Sequence, residues 1–171
     1  DETNGEEAAA PIRERGGSVR VEQLDVIETA SIRACKERLE ADDVTVDVLI
    51  NNAGVYPEGD VLETTLDQLD QSWTVNTRGP WLLVKAFVPG MIEQGYGRVV
   101  NVSSGSGSFG EGLDSGHAAY AASKAALNAL TMTLDDAIPA AVDVKANAMC
   151  PGWVRTRMGG ARFWPRRLRG L

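Results

Sequence analysis

Short apolar strand patterns alternate with longer helical patterns along most of this sequence, and this order restricts the fold more than any other feature. Runs rich in β-branched residues, together with one stretch that alternates apolar and polar residues, predict strands at 19–26, 47–51, 98–103 and 142–148. Helical patterns lie at 4–15, 29–41, 66–94 with a break near Gly79-Pro80, and 118–137. Such alternation is typical of parallel strands joined by right-handed crossovers. The sequence therefore predicts an α/β fold, a doubly wound parallel sheet with helices on both faces in three αβα layers.

Length, charge and cysteine content exclude several classes of protein. At 171 residues with 43% hydrophobic content, the chain is long enough for one well-buried domain and too short for two. Its 24 acidic and 17 basic residues give a net charge of -7, which argues against a nucleic-acid partner. Cys35 and Cys150 fit neither a disulfide framework nor a metal site, so we expect a reducing cytoplasm and no metal. No membrane contact is expected, because no stretch approaches the ~18 apolar residues of a membrane span and the start is not a signal peptide.

Polar or turn-forming residues follow each predicted strand. In a doubly wound sheet the carboxyl ends of the strands meet at one edge, and ligands bind there. The positions concerned are Asp25, 51–54, 103–106 and 151–156. We expect the functional groups of the protein among them.

Tyr120 and Lys124 stand four residues apart in the helix predicted at 118–137, so their side chains project from the same face. A nearby positive charge favours the phenolate, and we expect Lys124 to lower the pKa of Tyr120 and make it a general acid and base. An ordinary exposed pair on a helix explains the same spacing. On spacing alone, both interpretations stay open.

Other polar groups also have a structural and a functional interpretation. Ser103-Ser104 precedes a loop rich in glycine and serine, where a hydroxyl could hold a substrate oxygen or simply start a turn. The Asn-Asn-Ala-Gly stretch at 51–54 lets the backbone approach a flat ligand, or is only a turn. Asn76 lies on an otherwise apolar helical face, either as a satisfied core amide or as the holder of a water molecule. His117 is expected to be a solvated loop or cap residue.

Together these groups resemble the motifs of a known family. From residue 1 to about 158 the sequence is similar to the short-chain dehydrogenase/reductases. The resemblance implies an incomplete, Rossmann-like catalytic domain at 1–160, followed by a basic tail at 161–171 that we expect to be disordered. The catalytic tetrad that it implies is Asn76, Ser104, Tyr120 and Lys124, with Ser103 as the alternative serine. The cofactor-binding residues that it implies are Asp25, Val26, Asn52, Ala53, Gly54, Tyr120, Lys124, Pro151, Gly152 and Thr156.

The resemblance also implies a reaction and an assembly. The reaction is hydride transfer between NAD or NADP and a small alcohol or carbonyl substrate, with Tyr120 exchanging the proton. Lys124 would lower the tyrosine pKa and bind the nicotinamide ribose, and Ser104 would orient the substrate oxygen. Asn76 would hold a water that links Lys124 to solvent. Because the family commonly pairs the helices at 66–94 and 118–137 between subunits, a homodimer or homotetramer is expected.

Two features depart from the family pattern. The sequence has no Thr-Gly-x-x-x-Gly-x-Gly turn, whose amides hold the pyrophosphate, so we expect that segment to be missing and the choice between NAD and NADP to be unreadable. The stretch 162–169 diverges and carries four arginines, for which nucleic-acid or membrane contact is the less favoured interpretation. The rival hypothesis is therefore a catalytically inactive fragment or an interaction protein. A third is another activity on the same scaffold, such as a dehydratase or epimerase.

Overall fold

The structure is a computed structural model that describes residues 2–154 of the chain. Its elements, in chain order, are α1 (Glu2–Glu14), α2 (Thr29–Ala41), β1 (Val48–Asn51), α3 (Leu66–Trp73), a π-helical turn (Thr74–Arg78), α4 (Gly79–Gln94), β2 (Tyr96–Val102), a 3-10 turn (Gly105–Gly107), α5 (Ala118–Ala137) and β3 (Asp143–Met149). None of the helices in this part of the chain is long and apolar enough to cross a membrane. The tail expected at 161–171 lies outside the described residues.

The three strands form one parallel sheet in the order β1-β2-β3. Ile50 pairs with Val100, which pairs in turn with Asn147. Helices α3 and α4 connect β1 to β2, and α5 connects β2 to β3, because parallel neighbours need a crossover rather than a hairpin. The strands predicted at 47–51, 98–103 and 142–148 are confirmed, and so is the Rossmann-like α/β class, with a sheet of three strands among the described residues.

The strand predicted at 19–26 is wrong, because these residues form no strand. A strand needs a neighbour that pairs with its amides and carbonyls, and nothing in residues 2–154 forms a ladder with this segment. Its side chains contact helices instead. Val21 packs against Gly5 of α1, and Glu22 pairs with Arg38 of α2 at 2.7 Å. The segment therefore packs against two helices and has no place in the described sheet.

The core lies between the sheet and helices α4 and α5. Val99 of β2 and Val144 of β3 are fully buried and pack against Met91 of α4. The opposite face is open, since Val48 and Ile50 of β1 are 50% and 59% exposed. Within residues 2–154 the helices therefore cover one face of the sheet, which gives two of the three expected layers.

The break expected in the helix at 66–94 is present and falls just ahead of Gly79-Pro80. Helix α3 begins with a capping box, in which Thr65 and Gln68 bond each other's backbone amides. It ends in the π-helical turn, and α4 follows directly. A Cβ on Gly79 would lie 3.2 Å from the backbone oxygen of Val26, so a glycine suits this junction. The break thus lets α4 pack closely against the segment before α2.

Candidate active site

The carboxyl ends of the three strands open into one cleft of about 1100 Å³. Residues 52–54 follow β1, residues 102–106 include the end of β2, and residues 149–154 include the end of β3; all three segments form its walls. Tyr120 and Lys124 of α5 complete the wall on one side. The groups that follow these strands in the sequence therefore meet at one place, as a parallel sheet requires.

Tyr120 and Lys124 are both buried in the cleft wall, one turn of α5 apart. The two residues are 8% and 5% exposed. Lys124 Nζ donates to the backbone oxygen of Val102 at 2.8 Å and lies 5.6 Å from the centroid of the Tyr120 ring. This buried geometry differs from that of an ordinary exposed helix pair. It is also costly, because the ammonium is taken out of water.

Burial dominates the electrostatics of this pair. Desolvation lowers the pKa of Lys124 from 10.5 to about 8. Desolvation also raises the pKa of Tyr120, and the nearby Ser104 hydroxyl partly opposes that increase. The lowering of the Tyr120 pKa that we expected from Lys124 is therefore not found in this structure. The physical reason is that the ammonium is directed to Val102 and not to the phenol oxygen.

The two serines after β2 have different partners. Ser103 donates its hydroxyl to Asn128 Oδ1 at 2.6 Å. Ser104 lies near enough to the Tyr120 phenol to lower its pKa, and its oxygen accepts from the Ser106 amide at 3.2 Å. Of the two, Ser104 is the hydroxyl beside the phenol.

A glycine that the sequence did not single out brings this loop onto α5. A Cβ on Gly107 would lie 2.7 Å from the Ala125 nitrogen and from the Lys124 carbonyl carbon. Asn128 donates to the Gly107 oxygen at 3.3 Å. The close approach holds the turn that carries Ser104 against the helix that carries Tyr120. Its signal in the sequence is weak, because Gly107 is one glycine among several in a long loop.

Asn76 lies behind the cleft wall, fully buried on the π-helical turn. Its amide nitrogen donates to the Val55 oxygen at 2.9 Å and to Ser123 Oγ at 3.0 Å. Its oxygen accepts from the Val55 amide at 2.8 Å. These contacts fit the satisfied core amide, and a role in holding a water molecule stays a prediction. Asn76 thereby ties the segment after β1 to α5.

The structure brings together most of the predicted cofactor residues. Those in the cleft wall are Asn52, Ala53, Gly54, Tyr120, Lys124, Pro151 and Gly152. Asp25 and Val26 lie outside its described walls; the Asp25 carboxylate accepts from the Ile27 amide at 3.1 Å, and Val26 contacts Gly79. Thr156 lies beyond the described residues. For all ten residues, cofactor contact stays a prediction.

Sequence reasoning missed a polar cluster beside Tyr120, formed by Tyr56, Asp114 and His117. The His117 ring was expected in solvent but stacks on the Tyr56 ring, with centroids 4.0 Å apart. Its Nδ1 lies 3.0 Å from Asp114 Oδ2. Tyr56 and Asp114 also line the cleft. Nothing in the sequence pattern indicates this cluster, because Tyr56 reaches the other two from a loop far away along the chain.

Comparison with known proteins finds similar sequences and similar folds. Oxidoreductase UcpA of Salmonella typhimurium is 37% identical over 154 residues, which cover 90% of this chain and 57% of that protein. A gluconate 5-dehydrogenase from Burkholderia cenocepacia, in complex with NADP and tartrate, gives a TM-score of 0.84 at 27% identity, over 92% of this chain and 60% of its own. NAD+-bound xylitol dehydrogenase gives a TM-score of 0.81 at 32% identity, over 90% and 58%. The chain thus spans a little over half the length of these proteins.

The family assignment rests on a sequence match along nearly the whole chain. The sequence profile described as short chain dehydrogenase matches residues 1–165. That range contains the parallel sheet, the cleft and the Tyr120–Lys124 pair. This chain belongs to the short chain dehydrogenase family.

Proposed function

We propose that this chain carries the catalytic groups of an NAD- or NADP-dependent oxidoreductase that transfers hydride between the nicotinamide and an alcohol or carbonyl substrate. The observation that carries the proposal is the meeting of Ser104, Tyr120 and Lys124 in one cleft at the carboxyl ends of the strands. The names of the similar proteins support the same chemistry, since UcpA is called an oxidoreductase and the two solved structures are dehydrogenases with NADP or NAD+ bound.

The cleft has groups that suit a nicotinamide nucleotide. An ammonium has three hydrogens to donate, and the structure pairs Lys124 with one acceptor, the Val102 oxygen. Two donors are thus left for ribose hydroxyls. Ala53, Gly54 and Gly152 are small, so the backbone is open to a flat ring there. When bound, the nicotinamide supplies or accepts the hydride.

The proton is assigned to Tyr120. Burial raises the pKa of its phenol, so the group is protonated at neutral pH and can donate to a carbonyl oxygen. Ser104 lines the same cleft beside this phenol and orients the substrate oxygen. Lys124 provides positive charge close to the ring and stabilises the phenolate as it forms.

Asn76 takes a positioning role in this scheme. The resemblance implied a water molecule that links Lys124 to solvent. That role stays a prediction. The contacts of Asn76 with Val55 and Ser123 support a second task, which is to hold the segment after β1 against α5.

Calorimetric titration of the purified chain with NAD+, NADH, NADP+ and NADPH tests the proposal. We expect micromolar binding of at least one nucleotide. Lys124→Ala should weaken it ~tenfold or more, since a hydrogen bond to a charged group contributes roughly 1.5–3 kcal/mol. Tyr120→Phe should keep the binding and reduce turnover of a carbonyl substrate by about 10²–10⁴. Lys85→Ala, at an exposed position of α4, is the matched control and should change neither.

A second function competes with this one. It is that of a catalytically inactive protein or an interaction protein, whose cleft holds no dinucleotide. If the folded chain binds none of the four nucleotides, the oxidoreductase proposal fails for this chain and the inactive alternative is supported.

We also propose that the protein is a homodimer or homotetramer and resides in the cytoplasm. Trp73 and Trp81 are 52% and 51% exposed, and together with Thr77, Arg78 and Leu82 they form a shallow groove of about 160 Å³. An apolar surface of this kind supports a subunit interface. The free thiols of Cys35 and Cys150 support a reducing compartment.

A further inference from the structure

The cluster of Tyr56, Asp114 and His117 stands directly beside the phenol that the proposed reaction uses. The Tyr56 ring meets the Tyr120 ring edge-on, with centroids 4.6 Å apart and planes at 88°. Its hydroxyl lies 3.1 Å from His117 Nδ1 and 3.3 Å from Asp114 Oδ2. Any substrate whose oxygen reaches Tyr120 therefore has this cluster as a neighbour.

Backbone contacts hold the cluster in place. Asp114 Oδ1 accepts from the Gly116 amide at 3.0 Å, and the Asp114 amide donates to the Ser106 oxygen at 3.3 Å. The segment around His117 is fixed to the loop after β1, because the Gly59 amide donates to the Gly116 oxygen at 2.9 Å and the Ala118 amide donates to the Gly59 oxygen at 3.0 Å. The carboxylate of Asp114 thus has a defined position in the cleft wall.

The charge around the substrate position is negative. Among the described residues of the cleft wall, the charged side chains are Glu111, Asp114 and Lys124. Lys124 is buried against Val102 and is the group proposed to bind the ribose. The wall that includes Tyr56 therefore presents carboxylates and no ammonium or guanidinium within the described part of the chain.

Asp114 still has capacity to accept a hydrogen bond from a ligand. An ionised carboxylate offers about four acceptor sites. The Gly116 amide occupies one on Oδ1, and the Tyr56 hydroxyl and the His117 Nδ1–H of the neutral tautomer occupy up to two on Oδ2. One site on Oδ1 is left for a donor. Burial, followed by the charge of Asp114, raises the pKa of Tyr56 to about 12, so Tyr56 is a neutral phenol beside the carboxylate.

We propose that Asp114, held by Tyr56 and His117, determines substrate specificity by favouring neutral polyhydroxylated alcohols and disfavouring substrates with an anionic group near the reacting carbon. A hydroxyl next to the reacting carbon can donate to Asp114. A carboxylate or phosphate at the same place meets a fixed negative charge in a partly desolvated wall, where Coulomb repulsion is stronger than in water. The inference rests on the proposed oxidoreductase function.

The test compares two probes with the same carbon skeleton, neutral xylitol and anionic xylonate. Their binding to the purified chain is measured by ligand-observed NMR, with and without NAD+. Where turnover occurs, the ratio of kcat/KM values is a second readout. The wild-type chain is expected to prefer xylitol at least ~tenfold, and high salt should reduce this preference because it screens partly exposed charges.

Asp114→Asn should reduce the preference severalfold, mainly by improving the binding of xylonate, since the amide keeps the shape of the side chain and loses its charge. Glu93→Gln also removes one negative charge, but at an exposed position of α4. It should leave the preference for xylitol intact. A purely structural role of the cluster would weaken both probes equally in Asp114→Asn. That outcome would overturn the inference. So would the absence of xylitol binding, or a wild-type preference that is insensitive to salt. Selective binding without any turnover would instead contradict the oxidoreductase proposal alone.

Discussion

Lys124 is an ammonium buried against one backbone oxygen, and its charge is costly in the folded protein. Burial lowers the pKa of Lys124 from 10.5 to about 8, so between these values the unfolded chain binds more protons than the folded one. Stability must then rise with pH across this window. At ~1.4 kcal/mol per pKa unit, the gain approaches ~3 kcal/mol at the upper end.

Urea unfolding of the wild type and of Lys124→Met from neutral pH to about pH 10.5 checks this. The variant lacks the titrating group, so the free energy of unfolding of the wild type should rise relative to that of the variant as the pH increases. Lys85→Met, at an exposed position, is the control and should give a constant difference. A difference for Lys124→Met that stays flat or falls with pH would show that the ammonium is not desolvated.

At the scale of residues, the sequence predicts best the groups that lie close to one another along the chain. Tyr120 and Lys124 are one turn apart on a helix, and Ser104 follows the strand before it, so spacing and order indicate them. The direction of the Tyr120 pKa shift could not be predicted. It depends on burial of the phenol, and residue spacing gives no information on burial. Asp114 was missed for the same kind of reason, since its partner Tyr56 comes from a loop on the other side of α3 and α4.

At the scale of elements, the close contact of Gly107 with α5 should contribute to the stability of the fold. Gly107→Ala places a Cβ at 2.7 Å from backbone atoms of α5, which cannot move aside as a flexible side chain does. We expect a loss of ~1–3 kcal/mol in the free energy of unfolding, as for other overpacked sites, and weaker catalysis as the Ser104 turn shifts. Gly110→Ala in the same loop is the control, because its Cβ would meet only Ser108 Oγ at 3.9 Å. Equal stability of the two variants in thermal unfolding would argue against this packing.

The elements that the sequence predicted well are those whose partners lie next along the chain. Strands β1, β2 and β3 are neighbours in sequence and in the sheet, so their apolar runs and the helices between them are consistent with each other. The segment at 19–26 has an equally clear alternation but no strand to pair with in the described chain. Alternation alone does not make a strand, because a strand also needs a neighbour to pair with.

At the scale of the whole molecule, the half-exposed tryptophans of α3 and α4 predict self-association. Both line the shallow groove, and Trp81 of α4 is chosen for the test. Trp81→Glu should convert the oligomer expected in light scattering to a monomer, since burying a charge in place of a tryptophan anchor commonly costs an interface ~2 kcal/mol or more. Leu62→Glu is the control, because Leu62 is 95% exposed and lies in the loop before α3. Circular dichroism should be unchanged in both variants. A wild-type chain that is monomeric at every concentration, or a monomer produced equally by Leu62→Glu, would place the tryptophan face outside any subunit interface.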